Sequence, residues 1–266
     1  MDRYQIRTVA DIRHNPLSKA ANIPHVKGMK QQTIPKRPLR LASYNIRKCV
    51  GLDMRRAPER VLGVISELDA DVVALQEADK RLGRRPAALP ARLIETESDF
   101  TPVSIEDADG SLGWHGNAVL LRKGAKVERV EKLELPGMEP RGALLVEISI
   151  NARQMRLVAT HLGLMRNHRQ AQLRTLQTHI AGLADMPTAL LGDFNEWSPY
   201  AGMDPLRQNY WVYAPGRSFH AARPVAALDR IAVSHQFELR DAGVHETGDA
   251  LKASDHLPIW GDFSLR

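Results

Sequence analysis

Residues 190–197 read LLGDFNEW: a short apolar run that gives way at once to an acid, an aromatic, an amide and a second acid. In a strand, residues i and i+2 face the same way. Asp193 and Asn195 are therefore expected to point at one spot just past a strand end. Open α/β sheets place their sites at such ends. The same two residue types also build ordinary turns, so the reading depends on how the other strands end.

Working outward, DVVALQE (71–77) and TALLGD (188–193) are apolar runs of the kind expected of strands covered on both faces. LRLASYNI (39–46), NAVLLR (117–122), KVERVEKLEL (126–135), ALLVEISI (143–150), QMRLVATH (154–161), LDRIAVS (228–234) and HLPIWGDFS (256–264) are the other expected strands. PERVLGVISEL (58–68) reads as a helix, with Val61, Leu62, Ile65 and Leu68 on one face and Pro58 at the first helical position. A second helix is expected over about 165–184, with Leu173, Leu176, Ile180 and Leu183 inward. Residues 79–90 and 196–227 read as long surface loops, of a length that often carries function.

The chain has 266 residues, 43% apolar and 26% charged, which suits a soluble globular protein with ample core. No apolar run approaches the roughly 20 residues that span a bilayer. No apolar signal-peptide core appears near residue 1, and Cys49 is the one cysteine, so a reducing, cytoplasmic setting is expected. The net charge of +6 is unevenly spread: residues 1–40 hold nine Lys and Arg against two Asp, leaving the remainder at −1. Residues 1–38, with four prolines and no sustained period, read as a basic, solvated arm, and residues 39–266 as the domain. Such an arm could also touch a polyanion or an anionic membrane.

Several expected strands end in a polar residue suited to catalysis. Asn45 follows LASY, Glu77 follows VVALQ, and His161 follows RLVAT. Asp229 stands in LDRI, and Asp255 and His256 open HLPIW. Each has an ordinary reading: a turn amide for Asn45, a helix cap for Glu77, a hydrogen-bonded core histidine for His161, a pair with Arg230 for Asp229. All of these would have to hold independently, whereas one shared site accounts for them together. Asn, Asp and Glu are hard oxygen ligands that suit Mg²⁺. There is no Cys/His cluster for zinc, no Walker loop and no G-x-S-x-G elbow. A metal, acids and amides, and two histidines can together hydrolyse a phosphoester.

The ordered set SYNIR, ALQE, GNAVLL, PRGALL, THLG, LLGDFNEW, LDRIAVS and SDHLP resembles the endonuclease/exonuclease/phosphatase superfamily over about residues 40–264, and most of all its bacterial metal-dependent hydrolase branch. The resemblance implies an α/β fold, a four-layer α/β/β/α sandwich with two mixed β-sheets, as in deoxyribonuclease I. It implies Glu77 as the principal ligand of Mg²⁺ (Mn²⁺ being the alternative ion), with Asn45 nearby and Asp255 helping. It implies that Asp193 and Asn195 orient the attacking water and hold a phosphate oxygen. His256 would contact the scissile phosphate or move a proton, steered by Asp229. His161 stands where the deoxyribonuclease I and sphingomyelinase branches keep a second histidine, which apurinic endonucleases lack. Asn117 and Arg141 recur in similar segments and are assigned to the substrate or to site support, Arg141 having a salt bridge as its ordinary reading.

The substrate is less legible. Arg47 and Lys48, then Arg81, Arg84 and Arg85, then Arg166, His168 and Arg169 follow site strands and would form a basic rim, with Arg47, Arg166 and Arg169 as phosphate-binding candidates. Trp114, Trp197, Tyr200, Tyr210, Trp211 and Tyr213 fall in expected loops, where they could stack bases, enter a membrane interface or anchor loops. A phosphodiesterase acting on nucleic acid is the first expectation. A phospholipid or sphingomyelin headgroup phosphodiesterase, or a phosphatase, is the second. A catalytically silent binding protein is the alternative of another class.

Overall fold

The computed structural model describes residues 7–8, 37–80, 85–106, 110–150, 152–198 and 201–266. Arg81, Arg84, Tyr200 and nearly all of the basic arm lie outside them.

Among the described residues, thirteen strands form two mixed sheets. In chain order they are β1 (Arg7–Thr8), β2 (Leu39–Asn45), β3 (Val72–Gln76), β4 (Phe100–Pro102), β5 (Ala118–Arg122), β6 (Lys126–Leu135), β7 (Arg141–Ile150), β8 (Arg153–His161), β9 (Thr188–Asp193), β10 (Tyr210–Ala214), β11 (Asp229–Ser234), β12 (Phe237–Val244) and β13 (Ile259–Leu265). The helices are α1 (Pro58–Glu67), α2 (Ala91–Glu97), α3 (Arg166–Ala181) and a single turn, α4 (Ala250–Ala253). One sheet runs β1-β10-β11-β9-β8-β7-β6, the other β12-β13-β2-β3-β5-β4.

Alternation along the strands sorts the core into layers. Leu41, Val72, Ala74 and Val119 of the second sheet meet Leu144, Leu157, Leu191 and Ile231 of the first, a sheet-on-sheet interior. The other faces of the same strands, through Ala42, Tyr44, Val73 and Leu75, pack on Val61, Leu62 and Ile65 of α1. Leu145, Val158 and Leu190 pack on Leu173 and Leu176 of α3. The result is the expected four-layer α/β/β/α sandwich. Strands with both faces covered are those that read as continuous apolar runs.

The strand directions bring the site together. β2 runs parallel to β3, and β8 parallel to β9. β11 is antiparallel to β9, and β13 antiparallel to β2. The C-terminal ends of β2, β3, β8 and β9 therefore lie at the same end of the sandwich as the starts of β11 and β13, here called the site end.

Residues 196–227 are not one loop. They include β10, where Tyr210 and Tyr213 are buried, so these two aromatics are core and sheet residues and are not free to stack on a ligand. The backbone of Arg7–Thr8, inside the basic arm, pairs in parallel with Tyr213–Ala214 as an edge strand.

Candidate active site

Asp193 closes β9, and register places it beside His161 of β8 on one side and Asp229 of β11 on the other. Gly192 lets it sit there: a Cβ on that residue would stand 1.8 Å from the Thr160 carbonyl oxygen, so the two strands approach as closely as they do only without one. Asp193 is buried, and both its oxygens are engaged. Oδ1 accepts from the Asn195 backbone N–H at 2.9 Å. Oδ2 accepts from Asn45 Nδ2 at 3.2 Å, and the Nε2 atoms of His161 and His256 stand 3.3 and 3.6 Å from it. Asn45 belongs to the other sheet, so this hydrogen bond ties the two sheets together at the site end.

His256 Nδ1 faces Asp229 Oδ2 at 2.8 Å, and that oxygen also accepts from Ser218 Oγ at 2.5 Å. The Asp229 carboxylate is thus turned to His256, and the Arg230 guanidinium donates to the backbone carbonyls of Asp229 and Glu196. Burial opposes a charge on His256, but Asp229, Asp193 and Asp255 outweigh it and raise its pKa to about 10. His161 behaves oppositely. Burial pushes its pKa down to about 4 despite the pull of Asp193, so its imidazole is neutral at pH 7. One histidine is held charged and the other neutral, on either side of one carboxylate.

Asn195 and Glu77 both have left-handed backbone, with φ of 51° and 52°. Non-glycine residues adopt it at a cost and are concentrated at functional sites. In Asn195 this turn carries the side-chain amide to the Leu162 carbonyl at 2.8 Å. Glu77, one residue past β3, pairs with the Lys48 ammonium. Both line a cleft of about 270 Å³ together with Arg85, His115, Arg141 and His161.

Two groups of side chains bear on metal binding. Ligand atoms of Asp193, Asp229 and His256 lie within 4.8 Å of one another. Within that group His256 Nδ1 is already bonded to Asp229 Oδ2. Glu77 instead faces the open cleft with a cation already at its carboxylate, and Asn45 ends the neighbouring parallel strand. These hard oxygen donors fit Mg²⁺. Asp255 lies beside them but is engaged by Arg47 Nε at 3.4 Å.

The remaining candidates are braces by their contacts. Asn117 is buried, with its Nδ2 given to the Trp114 and Gly142 carbonyls. Arg141 lines the cleft but pairs with Glu139 at 2.8 Å. Arg166 and Arg169 both bind Glu196, and Arg169 is buried. Glu196 and Ser218 carry the site's outer supports, and sequence reading passed over both. Glu196 stood next to GDFN as a signal, whereas Ser218 lies eleven residues from Asp229 with no motif around it.

Two mixed sheets flanked by helices, with an Asp–His pair and a second histidine converging on one carboxylate at their shared end, define a deoxyribonuclease I-like four-layer α/β sandwich. The endonuclease/exonuclease/phosphatase family model matches residues 42–256, and the chain belongs to that family, whose members are hydrolases acting on phosphoester bonds. The Escherichia coli protein YbhP is 34% identical over 168 residues, 58% of this chain, and the match spans 64% of the relative's length. Among solved structures, Bacteroides thetaiotaomicron mannosyl-6-phosphatase superposes with a TM-score of 0.68 at 17% identity, covering 85% of this chain and 100% of that one. TDP2 of D. rerio, complexed with a single-strand DNA product, superposes with a TM-score of 0.66 at 19% identity, covering 85% and 98%.

Proposed function

We propose that the protein is a Mg²⁺-dependent phosphodiesterase that cleaves its substrate by attack of water on phosphorus. The observation that carries this is the Asp193 carboxylate, set between a neutral and a charged imidazole beside a cleft that holds Glu77 among Lys48, Arg85 and Arg141. Glu77 and Asn45, with Asp255, would hold the ion, which neutralises phosphate charge when bound. Asp193 Oδ2 takes the proton of the attacking water, and Asn195 fixes the Asp193 rotamer through its backbone N–H. Charged His256, held by Asp229, lies against the phosphate oxygens and supplies a proton. Neutral His161 donates one hydrogen bond to the same phosphate. Lys48, Arg85 and Arg141 give the cleft its positive lining.

For the substrate class, nucleic acid was the first expectation from sequence, and the basic lining suits any phosphodiester. A second reading, a phospholipid headgroup diester, draws support from the exposed apolar side chains around the site, since a polynucleotide rim is expected to be polar and cationic. Buried, unpaired Cys49 fits the cytoplasmic setting proposed for the chain. The test is hydrolysis of a panel of single-stranded DNA, RNA, phospholipids and inositol phosphates with Mg²⁺ and with EDTA. Cleavage that EDTA abolishes supports the reading and names the class; turnover indifferent to EDTA contradicts it.

A further inference from the structure

The cleft beside the catalytic residues is lined by charge, and most of that charge is already matched. Lys48 pairs with Glu77, and Arg141 with Glu139 at 2.8 Å. Asp79 is buried; its Oδ1 accepts from the Leu112 N–H at 2.7 Å, and its Oδ2 is shut off from solvent. Lys80 and Arg85 line the same cleft, and among the described residues neither has a carboxylate within ion-pair distance. The lining thus holds four bases and three acids, and its surplus stands at Lys80 and Arg85.

Arg85 is not a loose surface cation. It is half-buried and has left-handed backbone, with φ of 50°, which a non-glycine residue holds at a cost. Its Nη1 lies 3.0 Å from His115 Nδ1. A guanidinium has donors only, so Nδ1 accepts and the ring hydrogen sits on Nε2. Nε2 in turn donates to Glu134 Oε1 at 3.1 Å. His115 is itself clamped: the Trp114 ring meets it edge-on at 4.7 Å, and a Cβ on Gly142 would stand 2.8 Å from its Cδ2. The chain from Glu134 through His115 to Arg85 therefore aims the guanidinium with a neutral acceptor. A carboxylate in place of His115 would also hold Arg85 but would cancel its charge. Here the charge is kept, and the remaining N–H donors are left to the cleft.

Lys80 is brought alongside by backbone pairing. Its N–H donates to the Pro86 carbonyl at 3.0 Å, and Asp79 and Ala87 form an antiparallel bridge. The proposed metal ligand is close by: a Cβ on Gly116, the residue after His115, would stand 3.4 Å from Glu77 Cα.

We propose that Arg85, positioned by His115 and joined by Lys80, forms an anion subsite that takes a second phosphate, next to the one that is cleaved. The planar fork of an arginine matches phosphate oxygens, and two cations without carboxylate partners suit a dianion. That this phosphate belongs to the substrate rests on the phosphoesterase reading above; the anion subsite does not. An adjoining nucleotide and a phosphorylated polyol offer the same chemistry, and the test separates them.

The test is equilibrium binding by calorimetry in EDTA, where no turnover is needed. Two ligand pairs each differ by one phosphate: thymidine 5′-phosphate against thymidine 3′,5′-bisphosphate, and inositol 1-phosphate against inositol 1,4-bisphosphate. The proteins are wild type, Arg85→Gln, His115→Leu and His115→Asn, each shown to be folded by circular dichroism. A soluble chromogenic phosphodiester with Mg²⁺, assayed in parallel, reports the phosphoesterase reading separately. The expected result is a bisphosphate that binds wild type about tenfold tighter than its monophosphate, and the pair that shows it names the source. That preference should fall to within about twofold in Arg85→Gln and His115→Leu. It should return in His115→Asn, whose Oδ1 replaces Nδ1 as acceptor and whose backbone tolerates a positive φ. A preference without diester turnover supports the subsite while sinking the phosphoesterase reading. The proposal is overturned if neither bisphosphate is preferred, or if the preference survives in Arg85→Gln. His115 loses its positioning role if His115→Leu keeps the preference or His115→Asn fails to restore it.

Discussion

His256 Nδ1 and Asp229 Oδ2 stand 2.8 Å apart although they arrive from different sheets, Asp229 from the start of β11 and His256 from the turn before β13. The pair is buried, so neither partner can be lost without leaving the other unmatched. Asp229→Ala is expected to destabilise the fold by about 3–5 kcal/mol and to lower kcat by about 10²-fold or more. Ser218→Ala removes only the second hydrogen bond to the same oxygen, at a cost of about 1 kcal/mol. Urea unfolding and turnover of a soluble diester, measured on both variants, check this ordering. A Ser218→Ala variant more damaged than Asp229→Ala would break it.

Glu77 is expected to carry metal affinity. Added Mg²⁺ should raise the Tm of wild type, by about 2.7 kcal/mol of stabilisation at a hundredfold excess over Kd. Glu77→Gln should respond little, and its own Tm without metal should stay close to that of wild type. Differential scanning fluorimetry with and without Mg²⁺ reads both. An undiminished Mg²⁺ response in Glu77→Gln would move the metal elsewhere.

Gly192→Ala is expected to be one of the more harmful single-methyl changes in the chain. The new Cβ would meet a backbone oxygen of the neighbouring strand at 1.8 Å, and backbone yields less readily than a side chain. A loss of about 3 kcal/mol follows, with turnover falling as Asp193 shifts away from His161. Thermal unfolding of this variant beside Gly63→Ala, where a Cβ meets nothing within 4 Å, isolates the close approach.

Glu196 gives a pH dependence. Burial raises its pKa, but hydrogen bonds from Arg166 and Arg169 and from the Ser198 N–H outweigh it and leave the folded value below the ordinary 4.5. A depressed carboxylate pKa stabilises the fold above the unfolded value, and that contribution is lost as pH falls through the folded one. Tm should therefore fall more steeply below about pH 4.5 in wild type than in Glu196→Gln. The gap between them should be widest near neutrality. A gap that grows on acidification would contradict the assignment.

Much of this architecture is legible in the chain because burial on both faces leaves a mark. VVALQ, AVLL and TALLG are apolar without alternation, and each is a central strand. The site residues follow because they sit where those runs stop. The strands that reading passed over lack that mark. β12, FELRDAGV, is an edge strand with charged residues on its open side, and β10 lies within a stretch read as loop. The short helix α2 buries only Ile94. Partnerships formed by folding leave no local trace either. Nothing near Ser218 announces Asp229, and Met138, Leu164 and Trp197 share an end of the molecule only because three hairpins and crossovers place them there. The basic rim illustrates the converse: Arg166 and Arg169 looked like phosphate ligands by position, and the fold commits both to Glu196.

The most direct measurement is hydrolysis of a soluble phosphodiester by wild type and by Asp193→Asn, each with Mg²⁺ and with EDTA. Circular dichroism confirms that the variant is folded. The arrangement around Asp193 predicts Mg²⁺-dependent turnover in wild type, abolished by EDTA and reduced by about 10³-fold or more in the variant. Turnover that persists in folded Asp193→Asn, or that is indifferent to EDTA, would contradict it.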